Sequence, residues 1–200
     1  MKHLSTNTRP PAEKAFLVGV ETKGAKNNWT LEGSVDELAQ LASTAGAEVV
    51  GTLTQRLASP SPAHYLRKGK LEELVSLKEK TGYDLVVFDD ELSPAQQRNL
   101  ESFVGVKVID RTALILDIFA RRAHTHAGRL QVELAQQEYL LPRLAGRWSH
   151  LERLGGGIGT RGPGETQLES DRRLVRRRIQ RLRDEIEALR KHRALYRRRR

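Results

Sequence analysis

Two long stretches of this chain carry apolar residues at alternating steps of three and four. The first runs from residue 113 to 151 and the second from residue 168 to 196. The segment GGGIGTRGPGETQLE, at residues 155–169, lies where the first stretch gives way to the second. Each stretch places an apolar stripe along a helix, and such a stripe requires another helix to cover it.

The pattern therefore predicts a long antiparallel helical hairpin, a coiled coil, over residues 112–200. Its tip is predicted to be a glycine-rich loop at residues 155–164. Pro142 removes one backbone donor and crowds the preceding turn, so it predicts a kink or a break in the first arm.

Before residue 111, short β-rich runs alternate with amphipathic stretches. Strands are predicted at Ala15–Glu21, Ala47–Thr54, Leu85–Asp90 and Val106–Arg111. Helices are predicted at Ser34–Thr44, Gly69–Thr81 and Pro94–Val104. Ser34 with Glu37, and Ser93 with Gln96, have the spacing of capping boxes at two of these helices.

Apolar strands that are separated by helices indicate a parallel sheet with both faces covered. We therefore predict an α/β fold in which a small four-stranded parallel βαβ-type sheet domain at residues 15–111 precedes the hairpin. Residues 1–14 are predicted to be a disordered N-terminus.

The net charge of +10 is concentrated in the second half of the chain. Residues 1–110 carry a net charge of −2 and residues 111–200 a net charge of +12. Such asymmetry attracts polyanions, of which nucleic acid is the first candidate. No apolar run approaches the roughly 20 residues of a spanning helix, so no membrane span is expected. The chain has no cysteine, which excludes a disulfide framework and agrees with a cytoplasmic protein.

Two glycine motifs have the spacing of nucleotide-binding loops but the wrong context. Gly157, Gly159 and Gly162 match G-x-G-x-x-G, which should follow a strand, whereas a helical segment precedes it here. Residues 159–166 have P-loop spacing with Glu165 in place of the lysine, and a carboxylate there repels phosphate. No G-x-x-x-x-G-K-[ST] motif occurs in the 200 residues, so we expect no GTP hydrolysis by this chain alone.

The glycine-rich segment and the arginines after it suit a folded polyanion. Backbone N–H groups in such a loop can cradle phosphates, and guanidinium groups add charge and planar faces. Aromatic residues make up only 5% of the chain, so binding is expected to depend on phosphate contacts and to weaken with salt. The predicted RNA-binding residues are Arg153, Gly155, Gly156, Gly157, Gly159, Arg161, Gly162, Gly164, Arg172, Arg173, Arg176 and Arg177.

Two other functions remain open at the level of sequence. Asp89, Asp90 and Glu91 follow the third predicted strand, at the carboxyl edge where parallel sheets bind ligands, and would suit a nucleotide or a magnesium ion. The hairpin could also pair with another protein as a structural coiled coil. His124 and His126 point to different helix faces, so they make a poor metal pair. No catalytic, cofactor-binding or metal-binding residue is predicted.

Three blocks of sequence are distinctive enough to indicate a family. They are LVVFDDELSPAQQRNLESFVGVKVIDR at residues 85–111, LQVELAQQEYLLPRL at residues 130–144 and LGGGIGTRGPGETQLESDRR at residues 154–173. Through them the chain resembles the N-terminal region of the HflX family of ribosome-associated GTPases. One departure is Arg67, in YLRKGK, where the family usually carries glycine.

The resemblance implies an α/β subdomain followed by a helical hairpin. It also implies that the parent protein binds the large ribosomal subunit, with the glycine-rich loop near the rRNA of the peptidyl-transferase region, and splits stalled ribosomes under stress. In the family a GTPase domain follows, and GTP and Mg²⁺ are expected there, whereas no cofactor is expected in this chain. The expected partners are the large subunit, its rRNA and the C-terminal GTPase domain, and the protein is expected to be a monomer.

Overall fold

A computed structural model of the chain describes residues 12–22, 30–146 and 163–198. Four strands form one sheet: Lys14–Thr22 (β1), Glu48–Leu57 (β2), Leu85–Phe88 (β3) and Lys107–Asp110 (β4). Their order is β2-β1-β3-β4, and every neighbouring pair is parallel. The predicted α/β class with a four-stranded parallel sheet is confirmed.

The described residues also form six α-helices and one 3₁₀ helix. The α-helices are Leu31–Thr44 (α1), Lys68–Thr81 (α2), Pro94–Val104 (α3), Arg111–Arg122 (α4), His126–Leu140 (α5) and Pro163–Arg198 (α6). The 3₁₀ helix spans Leu141–Gly146 and follows α5 directly. The first three helices each begin within three residues of the predicted first residue and end at the predicted last residue.

Side chains alternate along the strands, so both faces of the sheet are buried. On one face, Val86 of β3 belongs to an apolar cluster with Leu74 of α2 and with side chains of α3. On the other face, Val87 belongs to a second cluster with Leu38 of α1 and Leu114 of α4. The sheet is thus the middle layer of three, with α1 and α4 on one side and α2 and α3 on the other.

A glycine in β1, one of the two inner strands, allows α1 to lie directly on the sheet. A Cβ atom built at Gly19 would lie 2.5 Å from Cγ2 of Val35 and 3.1 Å from Cδ1 of Leu31. Real Cβ atoms do not approach other carbons so closely, because repulsion rises steeply below van der Waals contact. A side chain at this position would therefore push the first turns of α1 away from β1.

Of the two predicted capping boxes, the one at Ser93 is confirmed and the one at Ser34 is wrong. Ser93 Oγ accepts from the backbone N–H of Gln96, and the Gln96 side chain accepts from the N–H of Ser93 at 3.0 Å. Helix α1 is instead capped by Thr30, one turn earlier. Ser34 lies inside the helix and donates its hydroxyl proton to Asp89 at 2.5 Å. The Ser34 hydroxyl, which the sequence pattern assigned to a helix cap, thus binds a residue distant in the sequence.

The predicted antiparallel coiled-coil hairpin is wrong, and its first arm is not one helix. Helix α4 belongs to the sheet domain, because Leu114 and Ile118 are buried in the cluster that it shares with α1. It ends before Ala123, which has an extended backbone. Thr125 then caps α5, its Oγ1 accepting from the N–H of Gly128 at 3.0 Å. Steps of three and four occur in any amphipathic helix, so the pattern did not reveal that the chain changes direction here.

Among the described residues, the two predicted seams meet over a short stretch. Leu130 of α5 forms a small cluster with Leu182 and Ile186 of α6. Towards the end of the second seam the apolar side chains are no longer buried, and Tyr196 is 61% exposed. Helix α5 ends at Leu140, and the 3₁₀ helix that follows it contains Pro142. This agrees with the interruption predicted at the proline. A local packing of α5 on α6 therefore replaces the predicted continuous hairpin.

Candidate nucleic-acid interface

Most of the predicted site in the glycine-rich segment lies outside the described residues. This applies to Arg153, Gly155, Gly156, Gly157, Gly159, Arg161 and Gly162. Gly164, predicted at the end of the loop, lies in the first turn of α6, which begins at Pro163. The four remaining predicted residues lie further along the same helix: Arg172, Arg173, Arg176 and Arg177.

These four arginines occupy the turns of α6 that precede its buried contact with α5. Arg173, Arg176 and Arg177 are exposed, and Arg172 is half-buried. Between residues 169 and 197, α6 carries ten arginines and one lysine against five acidic side chains. Such a surplus raises the positive potential along the helix and favours a polyanionic partner.

Two other arginines of α6 face α5 and are compensated there. Arg178 donates through Nε to Glu133 at 2.7 Å, and Arg183 donates through Nη2 to Glu138 at 2.7 Å. All four side chains are partly exposed, so each pair contributes at most about 1 kcal/mol to stability. Their larger effect is on the surface potential, because the positive charge that faces α5 is offset by carboxylates.

The arginines on the outward side lack this compensation. Arg173, Arg177 and Arg181 form no ion pair with any side chain that the structure describes. Arg176 lies 3.9 Å from Glu169 in an exposed pair, which contributes little. The uncompensated charge of Arg173, Arg177 and Arg181 is therefore directed away from α5.

The carboxyl edge of the sheet, where parallel sheets bind ligands, is filled by the chain itself. The strand order places the topological switch point between β1 and β3. There Arg111 donates to Asp89 at 2.7 Å, to Glu37 at 2.8 Å and to the carbonyl oxygen of Ser34 at 3.0 Å. Burial lowers the pKa of the Arg111 guanidinium, but the hydrogen bonds and charges of Glu37 and Asp89 together raise it above its usual value. The charge of Asp89 is thus already compensated.

The two acids that follow Asp89 lie in different environments. Burial, and then the charge of Asp89, raise the pKa of the Asp90 carboxyl from 3.8 to about 6. Burial first, and then the charge of the nearby Asp90 carboxylate, raise the pKa of the Tyr65 hydroxyl to about 12. Glu91 is exposed. In the described part of the chain no group of histidine, cysteine, aspartate or glutamate residues is arranged to hold a metal ion.

A buried ion pair that no sequence pattern revealed ties the 3₁₀ helix to the sheet. Asp110, at the end of β4, is 1% exposed. It accepts from Arg143 at 3.2 Å, from the Tyr139 hydroxyl at 2.9 Å and from the N–H groups of Leu92 and Ala113. Arg143 also lies 3.5 Å above the centroid of the Tyr139 ring. The last described turn before the glycine-rich segment is thereby fixed to β4.

One signal in the sequence could have revealed this pair. Arg143 stands alone among leucines in LLPRL, and a charged residue in such a setting is usually buried with a partner. Burial first, and then the charge of Asp110, raise the pKa of the Tyr139 hydroxyl, so it remains a donor at neutral pH.

Two family models match consecutive parts of the chain. Residues 32–120 match the model described as GTP-binding GTPase N-terminal, and residues 122–200 match the one described as GTP-binding GTPase Middle Region. The first range holds most of the sheet domain, and the second holds α5 and α6. The fold and its cationic helix thus correspond to the N-terminal and middle regions of GTP-binding GTPases.

Curated relatives narrow this class to one family. GTPase HflX of Caldanaerobacter subterraneus subsp. tengcongensis is 57% identical over 188 residues, which is 94% of this chain and 43% of the relative. GTPase HflX of Escherichia coli is 50% identical over 181 residues, which is 90% of this chain and 42% of the relative. The chain belongs to the HflX family. It spans less than half the length of these relatives and corresponds to their N-terminal part.

Solved structures share the architecture. The crystal structure of the SsGBP and GDP complex matches with a TM-score of 0.61 at 22% identity, covering 91% of this chain and 45% of that one. A GTP-binding protein from the hyperthermophilic archaeon Sulfolobus solfataricus, in complex with GDP, matches with a TM-score of 0.56 at 21% identity, covering 89% and 46%. At this identity the likeness concerns the fold alone. None of the described helices is long and apolar enough to cross a membrane.

Proposed function

We propose that this chain is the ribosome- and rRNA-binding region of an HflX-type GTPase. In this proposal it binds the large ribosomal subunit, and the whole protein splits or rescues stalled ribosomes under stress. The observation that supports it best is the outward, uncompensated arginine surface of α6, which lies directly after the glycine-rich segment. A surface of this kind favours a phosphate-rich partner.

The proposed RNA site combines the glycine-rich segment at residues 155–164 with arginines at both of its ends. Arg153 and Arg161 supply charge close to the glycines, and the four predicted arginines of α6 continue the surface along the helix. Exposed arginines at i,i+4 spacing repel each other by a few tenths of a kcal/mol per pair. Stability therefore does not account for the cluster, whereas a polyanionic ligand does.

The proposal assigns GTP and Mg²⁺ to the part of the HflX relatives that this chain does not span. This chain alone then binds rRNA without hydrolysing GTP, as a monomer in the cytoplasm. The alternative, a nucleotide or metal site at the carboxyl edge of the sheet, is weaker because Arg111 already compensates Asp89 there.

Co-sedimentation with purified large ribosomal subunits at two ionic strengths tests this function. We expect the chain to pellet with subunits at low salt and to be released as salt rises, since phosphate contacts release counterions. Arg161→Gln combined with Arg173→Gln should weaken pelleting. Arg98→Gln, which removes an exposed charge of α3, serves as the control and should not. Pelleting that is independent of salt, or absent at low salt, would contradict the proposal.

A further inference from the structure

Two groups of arginines in α6 form separate classes, because their guanidinium groups meet different surroundings. The first class is Arg178 and Arg183, which face α5 and are bound there by Glu133 and Glu138. Those on the far side, among them Arg173, have no carboxylate within ion-pair distance among the described side chains. The net charge of the helix alone does not reveal this division.

Three arginines of the second class lie in one row. Arg173, Arg177 and Arg181 follow each other at i,i+4 steps, all three are exposed, and at about 1.5 Å per residue they lie about 6 Å apart along the axis. The nearby Asp184 accepts a hydrogen bond from Gln180 at 2.9 Å and forms no ion pair with the row among the described side chains. The row therefore presents three positive charges on one exposed line about 12 Å long.

The surroundings of this row favour phosphate over bases. The exposed aromatic residue of α6, Tyr196, lies 15 positions beyond Arg181, or about 22 Å along the helix. Proteins that hold single strands stack bases on aromatic rings, whereas base-paired RNA is recognised through its backbone and shape. The described residues of α6 place no aromatic ring beside the row, so the row fits the second mode.

We propose that Arg173, Arg177 and Arg181 form an arginine row that binds the phosphate backbone of a base-paired RNA helix. This inference rests on the proposed rRNA-binding function and defines its contact surface more closely in two ways. It extends the contact surface by Arg181, beyond the residues that the sequence pattern selects. It also excludes Arg178 and Arg183, whose charge is directed to α5.

Two triple variants with the same change in net charge test the row. The first is Arg173→Gln, Arg177→Gln, Arg181→Gln, and the control is Arg178→Gln, Arg183→Gln, Arg190→Gln, in which each arginine has a carboxylate partner. Binding to purified large subunits is measured over a range of salt, after circular dichroism has shown equal helix content. The slope of log K against log salt is negative, and its magnitude should decrease by about three for the row variant, one unit per phosphate contact, and by less than one for the control.

The outcomes separate the row from the function on which it rests. If the unaltered chain does not bind subunits, the proposed function fails. If it binds and the row variant keeps the full slope, or if both variants lose slope equally, the row is overturned while the function stands. Competition supplies a second measurement: an RNA duplex should displace the subunits more effectively than a single strand of equal length. The reverse order would also overturn the row.

Discussion

The buried pair of Arg143 and Asp110 gives the sharpest prediction about stability. Its side chains are only 10% and 0% exposed. The guanidinium also donates to the carbonyl oxygens of Leu92 at 2.7 Å and Tyr139 at 3.0 Å, and to Gln97 Oε1 at 3.0 Å. Replacing Arg143 by methionine keeps much of the volume but removes the charge and all of these bonds.

Removing one partner of a buried ion pair lowers stability by about 3 to 5 kcal/mol. In the Arg143→Met variant, Asp110 retains three donors, namely the Tyr139 hydroxyl and the N–H groups of Leu92 and Ala113. We therefore expect a loss near the lower limit, about 3 kcal/mol, in a fold whose total stability is of the order of 5 to 15 kcal/mol.

Equilibrium urea unfolding, followed by far-ultraviolet circular dichroism, measures this loss. Arg183→Met is the matched control, because its pair with Glu138 is 56% and 44% exposed and should contribute about 1 kcal/mol at most. A loss of less than about 1 kcal/mol for Arg143→Met, or one no larger than that of the control, would refute the reasoning.

Three further predictions concern the sheet domain. Gly19→Ala should lower the free energy of unfolding by about 1 to 3 kcal/mol, because the new Cβ would clash with Val35. Gly69→Ala, which has open space around it, should not lower it. Thermal unfolding of both variants tests this difference. Ser93→Ala removes the capping box of α3 and should cost about 1 kcal/mol in urea unfolding, and an unchanged midpoint would contradict the assigned role. Asp90 binds its proton more tightly in the folded chain, with a pKa of about 6 against 3.8, so its ionisation lowers stability as pH rises through that interval. Asp90→Asn should remove this component, and urea unfolding at several pH values measures the stability of the variant and of the parent. The stability of the variant minus that of the parent should increase between pH 3.8 and about 6 and then level off. A constant difference would show that the carboxyl does not titrate in this interval.

The strands and helices of the sheet domain could be predicted from the sequence, because most of the local sequence signals agree with the tertiary packing. Runs such as LVVF at residues 85–88 are buried on both faces, and helix ends carry their own signals, as at Ser93. The predicted cap at Ser34 was wrong because Asp89, 55 positions away, accepts a hydrogen bond from its hydroxyl. Contacts at such separations leave no local pattern.

The helical half was harder to predict for a related reason. Periodicity reports that a helix has an apolar face but not which surface covers it. Leu114 in α4 turned out to pack on the sheet, whereas Leu130 in α5 packs on α6. The arginines of α6 were identifiable by composition, yet their division into compensated and free charges depends on where Glu133 and Glu138 lie across the contact.

The position of Arg111 has a consequence for what the sheet can do. Its guanidinium lies at the carboxyl edge, where parallel sheets bind ligands, and it joins the start of α4 to the end of β3 through Asp89 and to α1 through Glu37. Any guest would have to expel this internal counter-ion and leave Asp89 without its positive partner, which is unfavourable at a largely buried carboxylate. Arg111 thus acts as an internal crosslink that holds the carboxyl edge of the sheet to α1.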